Sequence, residues 1–202
     1  MSDSASQLAA DHLAHDAMND AELISRSRRV PECFALLFDR HAPALYRYVA
    51  RRLGRDACDD LVAETFTIAF RRRDSYDAAH ADARPWLYGI ATKLIWRHRR
   101  DEVRYLQAIA RLKVSPVPEP IDDAIAGRLT AQALHGTLVS ALAQLPAPQR
   151  DVLLLAASGL SHDEIATALG VRPGTVGSRL SRGRRTLQRA LGGANPARSR
   201  EE

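Results

Sequence analysis

Apolar residues along the chain recur at spacings of three and four, and no stretch alternates apolar and polar positions long enough to argue for a sheet. The chain therefore reads as all-α. Phe34, Leu37, Phe38 and His41 lie on one helical stripe, and a fresh stripe begins after Pro43 with Leu45, Tyr48, Val49 and Leu53. Proline suits a first-turn position and glycine the residue beyond a last turn, so Pro43 and Gly54 mark natural ends. A third helix is expected from Asp56. It opens on Asp56, Asp59 and Asp60 and closes on Arg71, Arg72 and Arg73, as the helix dipole favours. A fourth starts near Asp82 and Pro85 and is expected to run beyond Arg100. Leu87, Ile90, Ala91, Leu94 and Ile95 form its apolar stripe, which places Tyr88, Thr92, Trp96 and Arg99 on the opposite side.

The stretch "KVSPVPEPIDD" from Lys113 to Asp123 carries Pro116, Pro118 and Pro120 at alternate positions, which excludes helix and favours a stiff, extended connector. The expected division is an acidic flexible tail over 1–19, a first helical domain over 20–112, a linker over 113–132, a second helical domain over 133–192 and a disordered tail over 193–202.

The second domain holds "SHDEIATALGVRPGTVGSRL", Ser161 to Leu180. Ser161 with Glu164 three residues later is a capping box, so a short helix begins there. Ile165, Ala166 and Leu169 face inward, with Ala166 small because another helix crosses it. Gly170 supplies a left-handed turn, Val171 re-enters the core and Pro173 launches the next helix. Val176, Leu180, Gly183 and Leu187 fall on one stripe, leaving Thr175, Ser178, Ser181, Arg182 and Arg185 outward. This is the spacing of a helix-turn-helix with its second helix offered to the DNA major groove. A helical hairpin with a purely structural role is the alternative. Gly183 reads as a site of tight helix packing; Gly174 and Gly177 fit either close approach to a phosphate backbone or drift at an exposed position.

Charge sharpens this picture. The 202 residues suffice for one medium domain or two small ones. The net charge of +5 conceals an asymmetry: Asp3, Asp11, Asp16, Asp20 and Glu22 occupy the first 25 residues with no lysine or arginine, and the chain is strongly basic from Arg26 onward. Arginines crowd 71–73, 97–104 and 172–200, which favours a polyanion partner, nucleic acid first. On the fourth helix the outward rings and guanidinium groups suit unpaired bases, which stack on any exposed ring; alternatively Trp96 packs under the segment from Val103 to Leu112.

Other chemistry is poorly represented. Cys33 and Cys58 cannot form a disulfide framework or a zinc site and read as core packing. His12, His15, His41, His80, His98, His135 and His162 are scattered without metal-ligand spacing, and no phosphate-binding loop or nucleophile elbow occurs. An enzyme, a cofactor and a metal are therefore not expected. No apolar run approaches a membrane span and no leader opens the chain, so the expectation is a cytoplasmic protein without membrane insertion.

Two separated segments resemble one family. Leu142 to Leu191, "LAQLPAPQRDVLLLAASGLSHDEIATALGVRPGTVGSRLSRGRRTLQRAL", is similar to region 4 of the extracytoplasmic-function (group IV) sigma factors of bacterial RNA polymerase. "DACDDLVAETFTIAFRR", Asp56 to Arg72, and "ARPWLYGIATKLIWRHRRDE", Ala83 to Glu102, resemble region 2 of that group. The resemblance implies core polymerase and promoter DNA as partners, and leaves an anti-sigma factor open as a further one. It implies that Asp59, Asp60, Leu61, Glu64, Thr65 and Phe66 dock on the polymerase clamp, with Leu61 or Phe66 supplying apolar area. It assigns Tyr88, Thr92, Lys93, Trp96, Arg97, Arg99 and Arg100 to the minus-10 element, and Arg172, Thr175, Ser178, Arg179, Arg182 and Arg185 to the minus-35 element. Lys93 stands where the family commonly has asparagine, so a phosphate contact is expected there; Gly177 stands where a basic residue is frequent. A conventional dimeric helix-turn-helix regulator, with the first domain as sensor, is the alternative function, and it shares only the helix-turn-helix evidence.

Overall fold

A computed structural model describes residues 18–112 and 136–192. The proline-bearing connector, the leader aspartates Asp3, Asp11 and Asp16, and the tail after 192 lie outside the described residues. Among those described, helices and short 3-10 turns account for the regular structure, with no strand. In chain order the helices are α1 (Asp20–Ser27), α2 (Phe34–Leu53), α3 (Cys58–Arg72), α4 (Arg84–Arg97) and α5 (Arg99–Leu112). A helical stretch over 136–144, α6, follows. The chain continues in α7 (Ala147–Ala157), α8 (His162–Leu169) and α9 (Pro173–Gly192).

The break expected at Pro43 does not occur: α2 runs through it. Pro43 removes one backbone hydrogen bond, but the stripes on either side are in phase. Leu37, His41, Leu45, Tyr48, Val49 and Arg52 all turn inward, so one continuous buried face outweighs the lost bond. The fourth helix errs in the other direction, ending at Arg97 rather than passing Arg100. At His98 the backbone leaves the helical region, with φ −101° and ψ 24°, and its N–H bonds the Ile95 carbonyl at 2.8 Å. That turn re-aims α5 so that Glu102 and Leu106 enter the interior. Gly54 ends α2 as expected.

One apolar cluster spans the first and last groups of helices, joining Leu37, Leu45, Val62, Leu87 and Ile95 to Val152, Leu155, Ile165, Val176 and Leu180. Within it α2 packs on α3, α3 on α4, α4 on α8, and α9 on α7 and α8. Leu106, Val139 and Ala143 make a smaller cluster where α5 meets α6. Gly183 behaves as the sequence suggests, because a Cβ there would lie 2.7 Å from Leu153 Cδ1. Cys33 and Cys58 are both buried free thiols.

At the N-terminal edge, Asn19 and Glu22 form a capping box that starts α1. Asp20 follows, buried, accepting from Arg40 at 2.7 Å, from the Ala83 N–H at 2.8 Å and pairing with His41 Nε2 at 2.7 Å. Burial by itself would raise its carboxyl, but the contacts with His41, Ala83 and Arg40 outweigh that and bring it from 3.8 to about 2. Because the folded value is the lower one, the stabilisation is present above 3.8 and is lost as pH falls toward 2. Asp20→Asn should therefore flatten the acid limb of a stability-versus-pH curve in that window, measured by urea unfolding; an unchanged limb would remove this assignment.

Candidate nucleic-acid interface

The helix-turn-helix is built by local rules. Ser161 Oγ accepts from the Glu164 N–H and the Glu164 carboxylate accepts from the Ser161 N–H, closing the start of α8. Gly170 takes the left-handed conformation, φ 65° and ψ 41°, and lets the Val171 N–H reach back to the Ala166 carbonyl at 3.0 Å. Val176 and Leu180 then anchor α9 in the core, with Leu187 half-buried. Arg172, Ser178, Arg182 and Arg185 are exposed, while Thr175 and Arg179 are half-buried. Arg182 donates to the Ser178 carbonyl at 3.3 Å and to its hydroxyl at 3.4 Å, and Ser178 in turn bonds the Thr175 carbonyl at 3.0 Å. Gly174 and Gly177 face open space, with no atom within 4 Å of where a Cβ would stand, so internal packing does not require glycine at either position.

α4 departs from expectation. Leu87, Ile90, Ala91, Leu94 and Ile95 are buried as read, but Tyr88 and Thr92 are buried too and do not project to solvent. The helix is covered on more than one side. Thr92 Oγ1 bonds the Tyr48 hydroxyl at 2.8 Å, and the Tyr48 and Tyr88 rings meet edge to face at 5.0 Å. Burial pushes the Tyr88 phenol up, against a hydrogen bond with Ser158 of the C-terminal half. Trp96 is half-buried and donates its indole N–H to Asp151 at 2.9 Å. Lys93, Arg97, Arg99 and Arg100 are exposed, with the Arg99 guanidinium 5.7 Å from the Trp96 ring centre.

Behind Trp96 lies a feature that helical periodicity cannot reveal. Arg52, Glu102, Arg150 and Asp151 are all buried. Arg52 donates to Glu102 at 2.6 Å, to Asp151 at 2.5 Å and to the Tyr48 hydroxyl at 2.7 Å. Arg150 donates to Glu102 at 2.8 Å and to the carbonyls of Leu142, Ala143 and Leu145. Two positive and two negative groups thus balance, and burial, which opposes the Arg52 charge, is outweighed by its surroundings, Asp151 and Glu102 among them.

On α3, Asp59, Asp60 and Glu64 are exposed. Leu61, Thr65 and Phe66 are buried and form the inward face of that helix, which corrects the expectation that Leu61 or Phe66 offers apolar area. The exposed ring there is Phe38 of α2, 39% accessible and 4.8 Å from Phe66. Glu64 pairs with Arg97 at 3.2 Å across exposed surface, a contact worth little by itself.

Ligand atoms of Asp20, His41 and Asp82 lie within 4.8 Å of one another, a grouping hidden by their separation in sequence. Their lone pairs are already committed, Asp20 to Arg40, His41 and Ala83, and Asp82 to Arg84 at 2.7 Å. The group reads as a tie between α1, α2 and the segment that leads into α4.

Residues 37–105 match Sigma-70 region 2 and residues 135–187 match Sigma-70, region 4. The ECF RNA polymerase sigma factor SigL of Mycobacterium tuberculosis is 33% identical over 157 residues, covering 77% of this chain and 86% of that protein. The chain belongs to the ECF sigma factors. The sigma factor BldN of Streptomyces coelicolor is 30% identical over 181 residues, covering 87% of this chain and 67% of its own. Among solved structures, CnrH in complex with the cytosolic domain of CnrY superposes with a TM-score of 0.61 at 25% identity, covering 87% of this chain and 99% of that one. The sigma factor RpoE of Bartonella quintana, solved with the anti-sigma factor NepR, gives 0.54 at 29% identity, covering 79% and 96%. In this sigma factor, α4 lies within region 2 and the helix-turn-helix within region 4.

The Trp96 contact is directly testable. Trp96→Phe keeps a ring but deletes the donor to Asp151, and a hydrogen bond to a charged group contributes about 1.5–3 kcal/mol. Denaturant unfolding should show a loss of that size; wild-type stability would mean that the indole N–H is not engaged.

Proposed function

We propose that this sigma factor binds core RNA polymerase, reads the minus-35 duplex with α9 and holds the melted minus-10 strand with α4. It acts as a non-enzymatic cytoplasmic subunit, with units over 20–112 and 133–192 joined by the proline-bearing connector over 113–132. The carrying observation is that a ring-and-cation helix and, after it, a basic helix-turn-helix occur in one chain, within the segments that match regions 2 and 4 of the family it belongs to.

The roles divide by chemistry. Arg172 just before α9 and Arg182 and Arg185 on it offer cations to phosphates and Ser178 a hydroxyl to base edges or backbone, while Thr175 and Arg179 sit at the rim of the buried face. Gly174 and Gly177 leave room for close backbone approach at the head of that helix. On α4 and its continuation, Lys93, Arg97, Arg99 and Arg100 track phosphates while half-buried Trp96, and Tyr88 once it is uncovered, supply stacking surface, and Thr92 supports Tyr48 behind them. Asp59, Asp60 and Glu64 present carboxylates to basic residues of the polymerase; Phe38 adds apolar area, and Leu61, Thr65 and Phe66 hold the helix from within. No described helix is long and apolar enough to cross a membrane. An anti-sigma factor is a further partner, of the kind seen on RpoE.

Run-off transcription with purified core polymerase tests the whole reading; failure to form a holoenzyme at micromolar concentration would overturn it. Glu64→Lys should weaken holoenzyme formation about tenfold or more, because like charges meeting across an interface cost several kcal/mol. Ser178→Glu and Arg182→Glu should leave holoenzyme formation intact and abolish promoter binding. Arg182→Ala should lower the slope of log affinity against log salt by about 1. Promoter binding by either glutamate variant at wild-type strength would remove α9 from the interface.

A further inference from the structure

The two helices assigned to nucleic acid differ in what covers them. α9 leaves Ser178, Arg182 and Arg185 in solvent, and Arg172 just before it is exposed too. α4 keeps its cations exposed but surrenders its rings: Asp151 takes the Trp96 N–H, Tyr88 is buried beside Ser158, and the Gly89 backbone runs beneath α8. We propose that this is a self-masked state, in which the C-terminal helices shut the strand-holding face of α4 through a buried latch of Arg52, Glu102, Arg150 and Asp151 that must open for promoter melting. The inference rests on α4 being the strand holder.

Two of the three ion pairs in this group cross between the halves, Arg52 of α2 to Asp151 of α7 and Glu102 of α5 to Arg150 of α7. What each half keeps on parting makes the contact reversible. Arg52 retains Glu102 and the Tyr48 hydroxyl, and Arg150 retains the three carbonyls at the end of α6. Asp151 alone loses both partners, and it does so by moving into water, where a carboxylate is well solvated. An ionic contact of this kind can part in water without exposing orphaned charge in either interior, whereas a purely apolar seam would resist parting. Apolar contacts of Ile165 and Ala168 with the α4 side add closure, and Arg84 to Glu164 at 3.3 Å adds a half-exposed pair at the rim.

Gly89 records how closely the halves approach. Glycine weakens a helix interior, yet here a Cβ would stand 2.5 Å from the Ala168 carbonyl oxygen and 3.2 Å from its carbon, both backbone atoms. Glycine is required at this position only while α8 lies on α4. Gly89→Ala is therefore a wedge that favours α4 as a helix and disfavours only the closed arrangement. Asp151→Asn, made on α7, weakens the latch from the other side by removing the charge that faces Arg52 and Trp96.

The masking also divides the encounter with DNA. Exposed Lys93, Arg97, Arg99 and Arg100 still attract phosphate in the closed state, whereas stacking on Trp96 and Tyr88 must wait for opening.

Small-angle scattering of the full chain and fluorescence anisotropy with a labelled, mixed-sequence single-stranded DNA test the proposal, with circular dichroism verifying helix content. Wild type should scatter as a compact particle. Gly89→Ala and Asp151→Asn should be more extended and should bind the oligonucleotide about tenfold more tightly or better, since apparent affinity scales with the fraction of open molecules. Should one variant lose helix content, the other decides. An extended wild type, variants as compact as wild type, or extended variants with no gain in affinity would each overturn the latch. Failure of the sigma-factor reading looks different: neither wild type nor variant would form holoenzyme, whatever their compactness.

Discussion

The arrangement of this molecule depends on a charge-balanced group of four buried side chains, Arg52, Glu102, Arg150 and Asp151. None can be left alone in the interior, because a buried charge without its partner is far costlier than the pair. Their positions consequently fix others. Glu102 reaches the group only because the chain breaks at His98 and starts a new helix, and Arg52 reaches it only because α2 continues unbroken through Pro43. Arg150 adds the free carbonyls at the end of α6, so the same group ties down a helix terminus.

From this junction the two nucleic-acid helices acquire their different states. Asp151 carries the link onward to Trp96, so an electrostatic contact in the interior determines whether a stacking surface on α4 is available. α9 is held from its opposite side by Val176, Leu180 and Gly183, and Arg182 and Arg185 stay in solvent. An open helix in the proposed role of duplex reader and a covered one in the proposed role of strand holder suit a protein whose first contact is with double-stranded DNA and whose second is with DNA already unpaired.

Sequence reasoning recovered what local rules control. The capping box at Ser161, the left-handed turn at Gly170, the apolar anchors of α9 and the packing role of Gly183 all follow from spacing and residue type within a few turns. The apolar stripe of α4 was equally legible. What escaped is non-local. Periodicity assigns a helix one inner face, but α4 is packed by α3 on one side and α8 on another, so Tyr88 and Thr92 disappear from solvent. Helical spacing likewise gave no reason to bury Arg52 or Glu102, whose partners lie 50 and 99 positions away or 48 and 50. On α3 the acidic residues were placed outward correctly, while Leu61 and Phe66 belong to the stripe that anchors the helix, and Phe38 takes their place at the surface. Pro43 shows a local rule losing to burial along a face that stays in phase.

The account turns on parting the two halves of the chain at Asp151. The most direct measurement is a cryo-EM structure of the holoenzyme on a melted promoter, with the Arg52–Asp151 and Trp96–Asp151 contacts inspected. The account predicts both broken, Trp96 against the unpaired strand and Arg52 still paired with Glu102. Both contacts intact around a melted strand would contradict it.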